Sequence, residues 1–95
     1  MFDSKMPGDI AGGVGVRLRA LRLQRNITQG ALAAQAGISR PTLAALESGH
    51  GSLATLARVM YALGREAELD TLAPPDPSMT LDEALSPPRR QRARS

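Results

Sequence analysis

The chain has 95 residues, a net charge of +3, one Phe, one Tyr, no Trp and no Cys. That length holds one domain, the missing cysteines exclude disulfide staples and thiolate metal sites, and no window approaches the roughly 20 apolar residues of a membrane span. The core must be built from small aliphatic side chains that bury little area each, so a partner surface or self-association would add stability.

Residues 1–12 contain Pro7, Gly8 and Gly12, few apolar side chains and no secretory pattern, and are expected to form a flexible N-terminal segment. A helix-turn-helix domain is expected over residues 13–73. Its first helix is predicted over residues 14–25, with Val14, Leu18 and Leu21 on one side and Asn26 at its end. Thr28 is placed to cap a second helix over residues 29–36, which turns Leu32, Ala33 and Ala36 inward. Gly37 supplies the left-handed backbone that ends it, and Ile38 plugs the space between this helix and the next. Ser39 caps the third helix, where Pro41 falls in the first turn and a missing amide costs little. Leu43 and Leu46 face inward, and Ser48-Gly49 close it.

Ser52 caps a fourth helix over about residues 53–63, with Leu53, Leu56, Ala57, Met60 and Leu63 as its apolar stripe and Gly64 as its stop. A short fifth helix covers about residues 65–72. It joins the face of the fourth helix that carries Val59 and Met60 as the candidate dimer contact, because Leu69 and Leu72 would otherwise lie exposed. Residues 74–95 hold five of the seven prolines and four arginines, the composition of a disordered tail. Within it, residues 80–85 have the pattern of one helical turn, capped by Thr80 with Glu83 three residues on. The arginines of residues 89–94 read as a solubilising end, or as an arm adding phosphate contacts.

Between Gly13 and Gly49 five arginines stand against one acid, Glu47. A basic helix-turn-helix favours a polyanionic partner. With Leu43 and Leu46 pointing back, Arg40, Pro41 and Ala45 point outward from the third helix. Arg40 can donate two hydrogen bonds to guanine, while Pro41 and Ala45 can touch thymine methyl groups. Ser39 and Thr42 suit phosphate or base-edge contacts, with capping the main work of Ser39. Gln29, at the open start of the second helix, can bond a phosphate and brace the third, and the amides of that helix end add to the anion site. Arg22 is the basic residue of the first helix placed to pair with Glu47, which gives Glu47 a structural role.

No enzyme chemistry is predicted. His50 has no second ligand near it. Asp70, Asp76, Asp82 and Glu83 lack a rigid pocket to shift their ionisation. No buried strand precedes Gly12-Gly13-Val14-Gly15, so those glycines form no phosphate loop. Catalytic residues, cofactor and metal are all expected to be none.

Leu18-Arg19-Ala20-Leu21-Arg22, Thr28-Gln29 with Leu32-Ala33, Ala36-Gly37-Ile38-Ser39, Thr42-Leu43, Leu46-Glu47-Ser48-Gly49 and Leu56 with Ala62-Leu63-Gly64 together resemble the XRE family of Cro- and lambda-repressor-like proteins. The resemblance covers residues 13–72. It implies an all-α, compact five-helix domain and a cytoplasmic, nucleoid-associated bacterial regulator that binds double-stranded operator DNA as a homodimer. It places phosphate contacts at Gln29 and around Ser48, base contacts at Arg40, Pro41 and Ala45, and an ion pair between Arg22 and Glu47. Gly30 departs from the family, which has a better helix former there, and Pro41 narrows the hydrogen bonding available at a reading position. The compact size, the Ala-Leu-Gly ending and the Pro- and Arg-rich tail are similar to HipB-like antitoxins, which implies a HipA-type kinase toxin as partner. Two alternatives stay open: a stand-alone phage-type or restriction-control regulator, and a protein-interaction module without specific DNA binding.

Overall fold

The computed structural model of the protein describes residues 5–78 and 81–86. Those residues form helices α1 (Pro7–Gln24), α2 (Gln29–Ala36), α3 (Arg40–Glu47), α4 (Leu53–Ala62), α5 (Ala67–Asp70) and α6 (Leu81–Leu85), with no strand among them.

Hydroxyl caps set the starts of the three central helices. Thr28 Oγ1 accepts from the Ala31 amide at 3.1 Å, Ser39 Oγ from Thr42 at 3.2 Å and Ser52 Oγ from Thr55 at 3.0 Å. Each satisfies one of the amides that a helix start leaves without a partner. At the other end of α2, Gly37 takes φ 71°. That conformation lets the Ile38 amide reach back to the Ala33 carbonyl at 3.0 Å, and the chain reverses into α3 within three residues.

α1 begins at Pro7, not at Val14, so residues 7–12 are helical and the expected flexible segment is corrected there. Pro7 sits at the first helical position, where its ring is already set for a helix. The Met6 amide donates to the Asp9 carboxylate at 3.2 Å, completing the start. The closing Asn26 takes φ 56°, a left-handed conformation that asparagine tolerates.

The core lies between α1, α2, α3 and α4. Leu32, Leu43 and Val59 are fully buried, with Leu18, Ala33, Ala36, Leu46, Met60 and Leu63 around them and Ile38 packed at the edge. Of the stripe expected on α4, Leu56, Met60 and Leu63 pack on the core, and the remainder is shifted. Val59 and Met60 face the core, while Leu53 and Ala57 are exposed. Leu53 follows the exposed cap Ser52 and lies beyond the edge of the core. Val59 and Met60 therefore offer no surface to a second copy, which corrects that part of the expected dimer contact. α5 is shorter than expected, with Leu69 half-buried and Leu72 exposed. α6 forms where one helical turn was expected, inside the stretch of disordered-tail composition. Its expected cap Thr80 and the arginines of residues 89–94 lie outside the described residues.

Candidate nucleic-acid interface

The site is built on the contact between α1 and α3. A Cβ on Gly15 would lie 2.4 Å from the Glu47 carbonyl oxygen and 2.8 Å from that of Leu46. Only glycine lets α1 come this close to the C-terminal end of α3. The approach brings Arg22, two turns further along α1, over the side chain of Glu47.

Arg22 and Glu47 are both buried and joined two-pronged. Arg22 Nε donates to Glu47 Oε2 at 2.7 Å and Nη2 donates to Oε1 at 3.1 Å. The third edge of the guanidinium donates through Nη1 to the Ile27 carbonyl at 2.8 Å, which fastens the α1–α2 connection. Gln29 Nε2 donates to the same Glu47 Oε1 at 3.0 Å. No buried side-chain nitrogen or oxygen among the described residues lacks a partner, the condition under which an internal ion pair is tolerated. Burial pushes the Glu47 carboxyl up, but the hydrogen bonds from Arg22 and Gln29, with the attraction of Arg22 and Arg19, outweigh it and hold the group below the usual carboxylate range. The bond to Glu47 raises Arg22 above its ordinary value despite burial.

The network runs outward from this buried pair. Gln29 Oε1 accepts from Arg40 Nε at 3.4 Å, a long and weak contact. Gln29 thus links the locked interior to the exposed first turn of α3. Arg40, Pro41 and Ala45 are exposed on α3, opposite the buried Leu43, Leu46 and Glu47. The exposed Ser39 and the half-buried Thr42 share a hydroxyl contact of 2.7 Å in addition to the cap, so part of their polar capacity is used locally. Ser48 is exposed at the far end of α3.

An open groove of about 510 Å³ lies beside this face, lined by Arg19, Asn26, Thr28, Gln29 and Arg40 among others. Arg19 is a site residue that the sequence reading did not single out among the arginines of the first helix. The structure separates it from Arg17, which lines a different, apolar groove against α4 and α5. Two other arginines are engaged in holding the fold. Arg25 Nη1 donates to the Leu63 carbonyl at the end of α4, and Arg58 Nη1 reaches the Ala36 carbonyl at 3.5 Å. Of the five arginines counted between Gly13 and Gly49, Arg19 and Arg40 are therefore the two whose charge opens onto the groove.

Among the described residues, no helix is long and apolar enough to cross a membrane, and no group of three or more His, Cys, Asp or Glu side chains could hold a metal ion. No curated protein matches the chain. A helix-turn-helix family model matches residues 18–68, from the core leucine of α1 into α5. That span is more than half of the chain and contains the ion pair, the turn at Gly37 and the whole exposed face of α3. The chain belongs to the XRE-type helix-turn-helix family of DNA-binding regulators.

Proposed function

We propose that the protein is a sequence-specific transcriptional repressor that binds a palindromic DNA operator as a homodimer. The observation that carries this reading is the two-sidedness of α3. Its back is fixed by Leu43, Leu46 and the Glu47 pair, while Arg40, Pro41 and Ala45 stand together in solvent. A short helix held this way can enter the major groove with its N-terminal residues against base edges. Arg40 donates two hydrogen bonds to guanine, giving up its weak contact with Gln29. Pro41 and Ala45 touch thymine methyl groups. Gln29, Arg19, the first amides of α2, Ser39, Thr42 and Ser48 hold the phosphates that fix the register.

Two copies related by a two-fold axis place their α3 helices about 34–36 Å apart, one turn of DNA. Selection from a random DNA pool tests this directly. The expected product is a two-fold symmetric site whose half-site centres are about 10 base pairs apart, with affinity that falls steeply as salt rises. A pool that stays unenriched overturns the reading and favours a protein-interaction module. Within the family, the resemblance to HipB-like antitoxins supports the narrower role of an autoregulatory antitoxin partnered by a HipA-type kinase. Co-purification with a kinase encoded beside it separates that role from a stand-alone phage-type or restriction-control regulator.

A further inference from the structure

One side of the domain, formed by α1, α4 and the α5 region, is open as an apolar groove of about 360 Å³. Small-molecule sites span roughly 300–1,000 Å³, so the groove has the size of a small one. On α1 its lining falls at Val14, Arg17, Leu18 and Leu21, along one helical face for about 10 Å at 1.5 Å per residue. Leu18 and Met60 are buried and make the floor. Leu56 and Leu69 are half-buried walls, and the exposed Leu72 is the lip. No residue of α2 or α3 lines the groove, which separates it from the face that carries Arg40.

Arg17, Arg65 and Glu68 are the charged side chains that line it. Arg65 is paired with Glu68, and their charges cancel. Arg17 is exposed and has no acidic partner among the described residues. Among those residues the groove therefore holds one uncompensated positive charge beside an apolar floor. We propose that it binds a small amphipathic carboxylate, with an unbranched alkyl chain along Val14, Leu18 and Leu21 and the carboxylate on the Arg17 guanidinium. An alkyl chain suits this floor because it brings no polar groups. An extended peptide would set backbone amides and carbonyls against leucines, where each would lack a partner. The planar guanidinium accepts a carboxylate two-pronged, which selects the acid over a neutral chain of the same length. Nothing in this site depends on DNA, so it stands apart from the repressor reading.

Titration calorimetry of the full chain without DNA tests it, with octanoate and octanol as probes. A thermal melt by circular dichroism confirms that each variant folds, and both substitutions alter exposed positions. The parent is expected to bind octanoate one to one and to melt at a higher temperature in its presence. Arg17→Ala should weaken octanoate about five-fold, the upper end for an exposed ion pair, and leave octanol unchanged. Leu72→Asp should weaken both probes about ten-fold or more, because it puts a charge on the apolar lip. A parent that does not bind octanoate, or an Arg17→Ala chain that binds it as the parent does, overturns the proposal. So does an Arg17→Ala chain that loses octanoate and octanol equally, since Arg17 then does not hold the carboxylate. Because no DNA is present, loss of operator preference with these affinities intact would fall on the repressor reading alone.

Discussion

Glu47→Ala is expected to lower the stability of the domain by about 3–5 kcal/mol. The substitution leaves Arg22 buried and charged, with only the Ile27 carbonyl still accepting from it. A domain of this size has about 5–15 kcal/mol in total, so the variant loses much of its margin. Urea unfolding measures the change. Glu47→Gln keeps the shape and one acceptor and should lose less. Replacing Arg22 by Met and Glu47 by Leu together should recover much of the loss, because no unpaired charge then remains. If Glu47→Ala unfolds at the same urea concentration as the parent, the pair does not hold α1 to α3.

The same carboxylate gives acid sensitivity a definite sign. Glu47 sits lower in the folded chain than in the unfolded one. Its contribution is therefore complete above its unfolded value, roughly pH 4.3, and disappears as the pH falls through its lower folded value. The parent should lose stability across that acid window, and Glu47→Gln should lose less there.

Gly15→Ala is the second large effect. The added methyl group meets the Glu47 carbonyl oxygen at 2.4 Å and its carbonyl carbon at 2.7 Å, both backbone atoms that no rotamer can move. Overpacking of this kind costs about 1–3 kcal/mol and sometimes more, and here it pushes apart the helices that align Arg22 with Glu47. Gly30→Ala gives the opposite sign. No atom lies within 4 Å of its added carbon, and alanine gains up to about 1 kcal/mol over glycine in a helix. Thermal melts of the two variants should move in opposite directions. A Gly15→Ala protein as stable as the parent would contradict the close α1–α3 contact.

Much of this was legible in the residues because local chemistry set it. A hydroxyl three residues ahead of an amide that needs a partner marks a helix start, and Thr28, Ser39 and Ser52 each do this. A lone acid among arginines at Glu47 points to a pairing, and the exposed side of α3 follows once Leu43 and Leu46 are turned inward. The early start of α1 was hidden by Gly8, Gly12 and Gly13, which read as loop because glycine weakens a helix. Gly15 is required there by a distant neighbour, the backbone of Glu47, and no local pattern reveals that contact. The shift in the stripe of α4 was hidden for a similar reason. Leu53, Leu56, Ala57, Met60 and Leu63 form an acceptable stripe, and only packing against α2 and α3 adds Val59 to Leu56, Met60 and Leu63 and leaves Leu53 and Ala57 out. Arg25 and Arg19 look alike in sequence, yet one bonds the end of α4 and the other opens onto the groove.

The central claim is that the exposed turn of α3 reads a base through Arg40. Fluorescence anisotropy of Arg40→Ala tests it most directly, on the selected operator and on a scrambled duplex at one salt concentration. Losing a two-pronged guanine contact removes about 1–3 kcal/mol of discrimination, so operator affinity should fall about 5- to 150-fold. Scrambled DNA should be bound nearly as before, and one base position should become indifferent. If the variant keeps the parent's preference for the operator, or the parent binds both duplexes equally, Arg40 does not read the sequence.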